Sequence, residues 1–265
     1  MMKNIAEAIY ELMEGKKEGV LVTVISKEGS GPAPTGAKMI VYPDGSTLGT
    51  VGGGALERLA GVRALSLNNM NRDWLERFIL NDSEEKGATG MICGGAATLF
   101  FEYFPPQTHV YLFGAGHIGK ALAYHLKALP YRVILIDDRK EILDSNNDAG
   151  QKIHNSFSEV FLKEKPQPNS YFLIATYNHQ YDGLILNRIF KESWQPAYVG
   201  VVASRRKRSI LLEALLAEAP KADLDKCYFP AGLDLGGGTP HEIALSIVAE
   251  IQTIVNNKRG VHLRE

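Results

Sequence analysis

Apolar and polar residues alternate between positions 108 and 138 in blocks that predict a strand, a tight turn, a helix and a second strand. Residues 109–113 are apolar and β-prone, which is typical of a strand buried on both faces. Residues 120–129 place leucines on one side of a helix, which Pro130 ends. Residues 132–136 form the next apolar run. The pattern indicates a βαβ unit, and we expect the rest of the chain to be arranged around it.

The residues before this unit predict a smaller domain that mixes helices with short strands. We expect helices at residues 3–14, 55–67 and 72–80, and strands at residues 20–26, 37–42, 46–51 and 97–104. Two consecutive prolines, Pro105 and Pro106, stop the last of these strands. We therefore predict an N-terminal domain at residues 1–105 and a second domain at residues 106–265.

After the βαβ unit, apolar runs at residues 152–154, 171–175 and 197–203 alternate with helical segments. Such alternation is typical of a parallel sheet with helices on both faces. The last predicted helix, residues 240–256, starts with a capping box of Thr239 and Glu242. The predicted fold class is α/β: a small N-terminal α+β domain, followed by a Rossmann-like doubly wound parallel sheet.

The predicted turn of the βαβ unit has the G-x-G-x-x-G spacing at Gly114, Gly116 and Gly119. In dinucleotide-binding proteins, the first such glycine makes the turn, the second lets backbone approach a phosphate, and the third lets helix and strand pack closely. Asp137 ends the second strand, where an acid that binds ribose would lie. The alternative is a turn that needs glycine for packing alone and binds nothing.

Composition narrows the possible functions. A net charge of −1 over 265 residues argues against a generally basic nucleic-acid binder. The sequence has no apolar run long enough to span a membrane, and its N-terminus lacks the layout of a signal peptide. Two distant cysteines, Cys93 and Cys227, exclude a disulfide scaffold and fit a reducing compartment. We expect a cytoplasmic protein.

Two glycine-rich segments of the N-terminal domain are candidate anion sites. Gly52, Gly53 and Gly54 precede a predicted helix, where free N–H groups and the helix dipole favour negative charge. Residues 29–38 form a loop of small residues that ends at Lys38, a positive charge. The alternative for residues 29–38 is a flexible surface loop. Glu57 lies in the first turn of the predicted helix, where an acid can serve only to complement the helix dipole.

Cys93 lies beside two glycines, which would leave its thiol little shielded. A thiol of that kind is a candidate soft metal ligand or nucleophile if its pKa is lowered. The alternative is a small buried cysteine, which is commoner in proteins in general.

The crevice of the doubly wound sheet is the third candidate region. If the strand order is 3-2-1-4-5, residues 176–182 lie beside the glycine turn and bring His179 to the switch point. His117, inside the turn, faces the same crevice. The next strand leads to a polar and basic run that could meet phosphates or form a solvated helix face: Ser204, Arg205, Arg206 and Lys207.

Seven segments together resemble one family, the xanthine dehydrogenase accessory proteins or XdhC/CoxI family. They are GSGPAPTGAKMIV, GTVGGGALE, CGG, FGAGHIGKALA, IDDR, SRRK and PAGLDLGGGTPHEIALSIVAEI, and they span most of the chain. The resemblance implies a small N-terminal domain and a Rossmann-like domain. It also implies a maturation role: holding molybdenum cofactor (molybdopterin), helping to exchange an oxo for a sulfido ligand, and delivering the cofactor to a molybdenum hydroxylase.

The resemblance assigns roles and partners that composition does not. Cys93 resembles the cysteine of the family's Cys-Gly-Gly motif, where it would lie near the molybdenum, and Gly52–Gly54 resemble its N-terminal signature. A cysteine desulfurase would supply the sulfur, and a homodimer would suit cofactor transfer. Two alternatives stay open: an NAD(P)-dependent oxidoreductase with Asp137 on the ribose and His179 as proton donor, and a scaffold that only docks partner proteins.

Overall fold

A computed structural model describes residues 4–29, 34–80, 95–159 and 165–264. The chain divides into two compact units, an N-terminal unit of residues 1–107 and a C-terminal unit of residues 108–265.

The N-terminal unit contains an antiparallel sheet in the order β3-β2-β1-β5-β4. Its elements are α1 (Ile5–Met13), β1 (Gly19–Glu28), β2 (Lys38–Val41), β3 (Thr47–Gly49), α2 (Gly54–Met70), β4 (Trp74–Ile79) and β5 (Ala96–Phe104). Alternate residues of β1 and β2 point to opposite faces. Leu21 and Ile40 pack in the cluster that contains α1, whereas Val20 and Met39 pack in the cluster that contains α2. One helix therefore covers each face of this sheet.

The predicted helix at residues 72–80 is wrong, because this segment forms the edge strand β4. Asn71 adopts a left-handed conformation, with φ of 51°, which ends α2. Residues 74–79 then pair with β5, Trp74 opposite Phe101. Phe78 and Leu80 enter the core on the side that α2 covers. Pairing with a strand more than 15 residues later in the chain outweighs the local preference for helix.

The described part of the C-terminal unit forms a parallel sheet of six strands in the order β8-β7-β6-β9-β10-β11. Its elements are β6 (Thr108–Phe113), α3 (His117–Lys127), β7 (Tyr131–Asp137), α4 (Lys140–Asp144), β8 (Gln151–His154), β9 (Tyr171–Ile174), α5 (His179–Lys191), β10 (Tyr198–Val201), α6 (Arg205–Glu218), β11 (Cys227–Tyr228) and α7 (Pro240–Val255). In order of sequence this is 3-2-1-4-5-6, so the predicted doubly wound Rossmann-like sheet is confirmed. The strand order reverses between β6 and β9.

Helices cover both faces of this parallel sheet. Val110, Leu112 and Leu173 face a cluster that includes residues of α3 and α7. Tyr111 and Phe172 face the opposite cluster, to which α5 and α6 contribute. Alternate residues of each central strand are thus buried on opposite faces, as the continuous apolar runs predict. Among the described residues, none of the helices is both long and apolar enough to cross a bilayer.

Candidate functional site

The glycine turn after β6 lies at the carboxyl edge of the parallel sheet. A Cβ atom on Gly114, whose φ is 108°, would lie 2.3 Å from the Ala175 carbonyl oxygen. A Cβ atom on Gly119 would lie 1.8 Å from the Gly114 carbonyl oxygen. Both glycines are therefore required for close packing of the turn against β9 and α3.

Gly116 differs from its two neighbours in the motif. Its φ of −66° and ψ of −168° are open to any residue, and no described atom lies within 4 Å of an added Cβ. Neither conformation nor packing requires glycine at this position, where α3 begins. A bare backbone at the start of a helix suits the approach of an anionic ligand.

Asp137 is fully buried, and it stabilises the turn. Its carboxylate accepts hydrogen bonds from the Ala115 N–H at 2.6 Å and from the Arg139 backbone and guanidinium at 2.9 Å. Although burial works in the opposite direction, the hydrogen bonds from Arg139 and Ala115 lower the pKa of Asp137. Both carboxylate oxygens are thus engaged within the protein, and a contact of Asp137 with ribose stays a prediction.

An aromatic and acidic cluster lies next to Asp137, and sequence reasoning missed it. The Tyr177 hydroxyl donates to Asp138 Oδ2 at 2.8 Å, and the Arg139 guanidinium lies 4.3 Å from the centre of the Tyr177 ring. The hydrogen bond to Asp138 raises the pKa of Tyr177. A cation stacked on an aromatic ring holds this cluster in place. The only signal in the sequence was that both segments follow strands that flank β6 in the sheet.

The segment after β9 carries a buried ion pair. Asp182 is fully buried, and its Oδ1 accepts a hydrogen bond from the Thr176 hydroxyl at 2.5 Å and one from the Thr176 N–H at 3.2 Å. The Lys207 ammonium, which comes from α6, pairs with Asp182 Oδ2. Lys207 therefore neutralises a buried carboxylate at the switch point. His179 is exposed at the first residue of α5.

The basic run after β10 is spread over the first turn of α6. Ser204 caps the helix, and its side chain accepts a hydrogen bond from the Lys207 N–H at 3.3 Å. Arg206 is exposed to solvent. The side chain of Arg205 lies outside the part of the chain that the structure describes. Phosphate contacts of this run stay predictions.

A cleft of about 670 Å³ opens beside the start of α3. Its volume is in the range of small-molecule sites. His117 and Lys120, both in the first turn of α3, line it. The other lining residues are Ala121, Tyr124, Asp148, Pro240 and His241.

Two acidic residues of α7, Glu250 and Glu242, hold the segment of residues 230–239, which follows β11. Glu250 accepts hydrogen bonds from the Tyr198 hydroxyl at 2.6 Å and from the Gly232 N–H at 3.0 Å. The predicted capping box at Thr239 is confirmed. The N–H groups of Thr239 and Gly238 lower the pKa of Glu242 to about 2. The start of α7 therefore already holds a carboxylate.

The N-terminal unit has a separate cleft of about 620 Å³. Lys38 lines it, and its ammonium donates to the Thr23 hydroxyl at 3.3 Å. Gly52, Gly53 and Gly54 all have positive φ and lead into α2. Gly52 and Gly53 line the cleft, together with Ile5, Pro34, Gly36, Ala37, Lys38, Gly49 and Thr50.

Glu57 occupies the start of α2. Its carboxylate accepts hydrogen bonds from the Gly53 N–H at 3.1 Å and from the Thr50 hydroxyl. The Gly52 N–H donates to the Thr50 hydroxyl at 3.0 Å. At least two amides of the glycine triplet are therefore satisfied internally, so this helix start has less capacity for an external anion than its glycines suggest.

Cys93 lies outside the described residues, and its metal-binding and catalytic roles stay predictions. The other cysteine, Cys227, is half-buried in β11. Burial, with Asp223 nearby, raises the pKa of Cys227 to about 12. Cys227 is therefore a weaker nucleophile than a cysteine with an ordinary pKa. Within the described ranges, no group of three or more His, Cys, Asp and Glu side chains is placed to hold a metal ion.

Two family models match this chain. One, described as the XdhC Rossmann domain, matches residues 110–251. The other, described as the XdhC and CoxI family, matches residues 12–78. The first match alone covers more than half of the chain.

Three relatives extend the comparison. Uncharacterized protein YqeB of Escherichia coli is 30% identical over 264 residues, 97% of this chain, and the chain spans 47% of the length of YqeB. A relative from Bacillus subtilis, described as a probable subunit of xanthine dehydrogenase, is 23% identical, with 94% of this chain and 97% of the relative covered. The molybdenum cofactor insertion chaperone PaoD of E. coli is 36% identical over 92 residues, 35% of this chain and 28% of PaoD.

A solved structure has the same fold over nearly the whole chain. It is a crystal structure reported as a xanthine dehydrogenase from Bacillus halodurans, with a TM-score of 0.53 and 19% sequence identity. The similarity covers 97% of each chain. At this level of identity, the likeness shows the fold alone.

Proposed function

Since the chain belongs to the XdhC and CoxI family, we propose that it is a maturation factor for a molybdenum hydroxylase of the xanthine dehydrogenase type. It holds molybdenum cofactor, assists the sulfuration of the cofactor and delivers it to the hydroxylase. The similarity to PaoD, whose name describes a molybdenum cofactor insertion chaperone, carries the proposal. The chain passes the cofactor on to the hydroxylase and does not consume it.

The described residues fit the phosphate end of such a cofactor best at the start of α3. Gly116 leaves the backbone open, and His117 and Lys120 line the adjacent cleft. The first turn consists of His117, Ile118, Gly119 and Lys120. It therefore contains no acidic side chain that would compete with a bound anion for the amides of the turn. In our proposal the phosphate lies at this helix start, and Lys120 neutralises part of its charge.

Cys93 would supply the soft ligand that molybdenum accepts, in keeping with the affinity of thiolates for soft metals. Cys227 is the weaker candidate, because its pKa of about 12 keeps it protonated. A cysteine desulfurase is the proposed sulfur donor, since a single thiol in this chain cannot regenerate itself. These roles follow from family membership and thiol chemistry.

The binding step can be tested with a charge placed at Gly116. Aspartate is a good N-cap residue, so Gly116→Asp keeps the helix start while it adds a carboxylate where the phosphate is proposed to lie. Gly116→Asn is the matched control, since it has the same shape and no charge. We expect retention of molybdopterin after gel filtration, measured by fluorescence of the oxidised pterin, to fall about tenfold or more for Asp relative to Asn.

If the two Gly116 variants retain molybdopterin equally, the phosphate does not lie at the start of α3. If the wild-type chain retains no molybdopterin at all, the maturation proposal is wrong. The role of Cys93 has its own control: Cys93→Ala should lower retention, whereas Cys227→Ala should leave it unchanged.

The delivery step requires the partner enzyme. An apo molybdenum hydroxylase, incubated with cofactor, should gain activity faster when this chain is present. Adding a cysteine desulfurase and cysteine should raise the final activity, if sulfuration occurs on this chain. An identical rate with and without the chain would contradict delivery.

A second candidate function is binding of a nicotinamide dinucleotide, with oxidoreductase activity as the fuller alternative. The confirmed strand order and the open backbone at Gly116 favour it. Titration with NADH, followed by its fluorescence, tests it, and the Gly116→Asp variant should abolish any signal. Oligomeric state and cellular location stay predictions, and sedimentation would measure whether a homodimer forms.

A further inference from the structure

Two histidines from separate helices meet beside the cleft at the start of α3. His125 lies near the end of α3, and His241 is the second residue of α7. His241 Nδ1 lies 3.4 Å from His125 Nε2. The Tyr124 ring packs edge-on against both imidazoles, with centroid distances of 5.3 and 5.7 Å. The histidine pair is thus held by packing of an aromatic ring on each member.

The distance between the two nitrogens is informative. An N–H hydrogen bond in a protein is usually about 2.7–3.2 Å long, so 3.4 Å is long for a direct bond between the rings. Two imidazole nitrogens that each lie about 2.0–2.1 Å from one tetrahedral zinc ion are about 3.3–3.4 Å apart. We propose that His125 and His241 form a binding site for a divalent transition-metal ion, with Zn²⁺, Cu²⁺ and Ni²⁺ as the class of ligand.

The surroundings suit a site with two protein ligands and open positions. His241 lines the cleft of about 670 Å³, and His125 lines an adjoining one of about 420 Å³. Asp148 lines both clefts, but its carboxylate pairs with the Lys127 ammonium at 3.1 Å. Because the described residues form no cluster of three or more ligands, water or a small anion completes the coordination.

The chemistry of the pair selects the metal. Imidazole suits Zn²⁺, Cu²⁺ and Ni²⁺, whereas Mg²⁺ and Ca²⁺ prefer oxygen ligands. The bound ion would add positive charge to the cleft that His117 and Lys120 line. This site does not depend on the proposed maturation role, and free metal ions are sufficient to test it.

Calorimetric titration of the untagged full chain with ZnCl₂ at pH 7.5 measures the affinity. The variants are His125→Gln and His241→Gln, and the matched control is His262→Gln, an exposed histidine near the C-terminus. Loss of even an outer-shell partner lowers metal affinity by about 10–100-fold, so loss of one of only two ligands should lower it by about 100-fold. Circular dichroism without metal establishes that each variant folds.

Electron paramagnetic resonance of the Cu²⁺ complex identifies the ligands directly. We expect hyperfine splitting from two nitrogens in the wild type and in His262→Gln, and from one nitrogen in each single ligand variant. Unchanged Zn²⁺ affinity in the variant that carries both His125→Gln and His241→Gln would overturn the site, as would no measurable binding to the wild type. Loss of binding through Cys93→Ser or Cys227→Ser alone would assign the metal to a thiol instead and would equally overturn it.

Discussion

The starts of α2 and α3 both follow glycine-rich turns, but they differ in the charge that faces their amides. At α2, the Glu57 carboxylate accepts a hydrogen bond from the Gly53 N–H. At α3, the first turn consists of His117, Ile118, Gly119 and Lys120. The start of α7 repeats the first arrangement, with Glu242 bonded to Gly238 and Thr239. Glycine content therefore does not identify an anion site. The charge within the first helical turn distinguishes the starts of α2, α3 and α7.

The glycines of the two regions are also required for different reasons. Gly53 has φ of 77° and ψ of −179°, a conformation almost restricted to glycine. Gly119 has too little space for a side chain. Gly116 is limited by neither conformation nor space. Among these three, only Gly116 is left to be explained by a ligand.

The largest expected effect separates the three glycines by stability. Gly119→Ala forces a methyl group into the Gly114 carbonyl and should lower the free energy of unfolding by about 3 kcal/mol or more. Gly53→Ala should cost about 1–3 kcal/mol from backbone strain. Gly116→Ala should cost less than about 1 kcal/mol. Urea denaturation measures all three, and a loss at Gly116 as large as that at Gly119 would contradict a ligand-related role for Gly116.

The buried ion pair beside the α3 turn should matter next. Asp182→Asn removes the charge that Lys207 pairs with, and we expect a loss of about 2–3 kcal/mol in the free energy of unfolding. Lys207 is partly exposed, so water reduces the penalty. Glu218→Gln, which breaks an exposed pair with Lys191, is the control and should show no measurable change. Equal effects of the two substitutions would mean that Asp182 contributes no more than a surface charge.

The acid that supports the α3 turn gives a stability that depends on pH. The folded pKa of Asp137 is below its ordinary value of 3.8, so the charged carboxylate stabilises the fold above pH 3.8. This stability is lost as pH falls through the lower folded pKa. At pH 7, the free energy of unfolding of Asp137→Asn should be about 2 kcal/mol lower than that of the wild type. The two unfolding curves should converge below pH 3.8, and a constant difference down to pH 3 would contradict the assignment.

The smallest expected effect concerns the acid at α2. Glu57→Gln removes a charge that complements the helix dipole and should cost about 0.5–1 kcal/mol. The same substitution should increase binding of inorganic phosphate near the glycine triplet, because the Gly53 amide is released from a carboxylate. Chemical shifts of the glycine N–H groups during a phosphate titration measure this. A wild-type α2 start that binds phosphate as tightly as the Glu57→Gln variant would remove the difference between the two helix starts.

Local signals predicted much of the C-terminal unit. The apolar runs at residues 109–113 and 132–136 became central strands, since a strand buried on both faces needs continuous apolar sequence. The capping box at Thr239 and Glu242 formed as its spacing predicts, because both partners lie within one helical turn. The alternation of strands and helices predicted a doubly wound parallel sheet, whereas the strand order 3-2-1-4-5 was only a condition, which the structure meets with a sixth strand added.

Signals that depend on distant residues were misread or missed. Residues 74–79 have a pattern that also fits a helix, and only pairing with β5 made them a strand. Lys207 was predicted either to meet a phosphate or to lie on a solvated helix face, and the structure pairs it with Asp182, 25 positions earlier. Its contact with a ligand stays a prediction.

By itself, the sequence determined the doubly wound sheet and the positions of its turns, because these follow from periodicity and spacing within a few residues, and seven motifs along the chain carried the resemblance to the family. The tertiary structure decided which polar groups are free to bind. Asp137 turns inward to Ala115 and Arg139, Glu57 covers the start of α2, and His125 meets His241 across 116 positions of sequence. Hydrogen bonds and charges act over a few ångströms in space, and only folding brings such residues within that range.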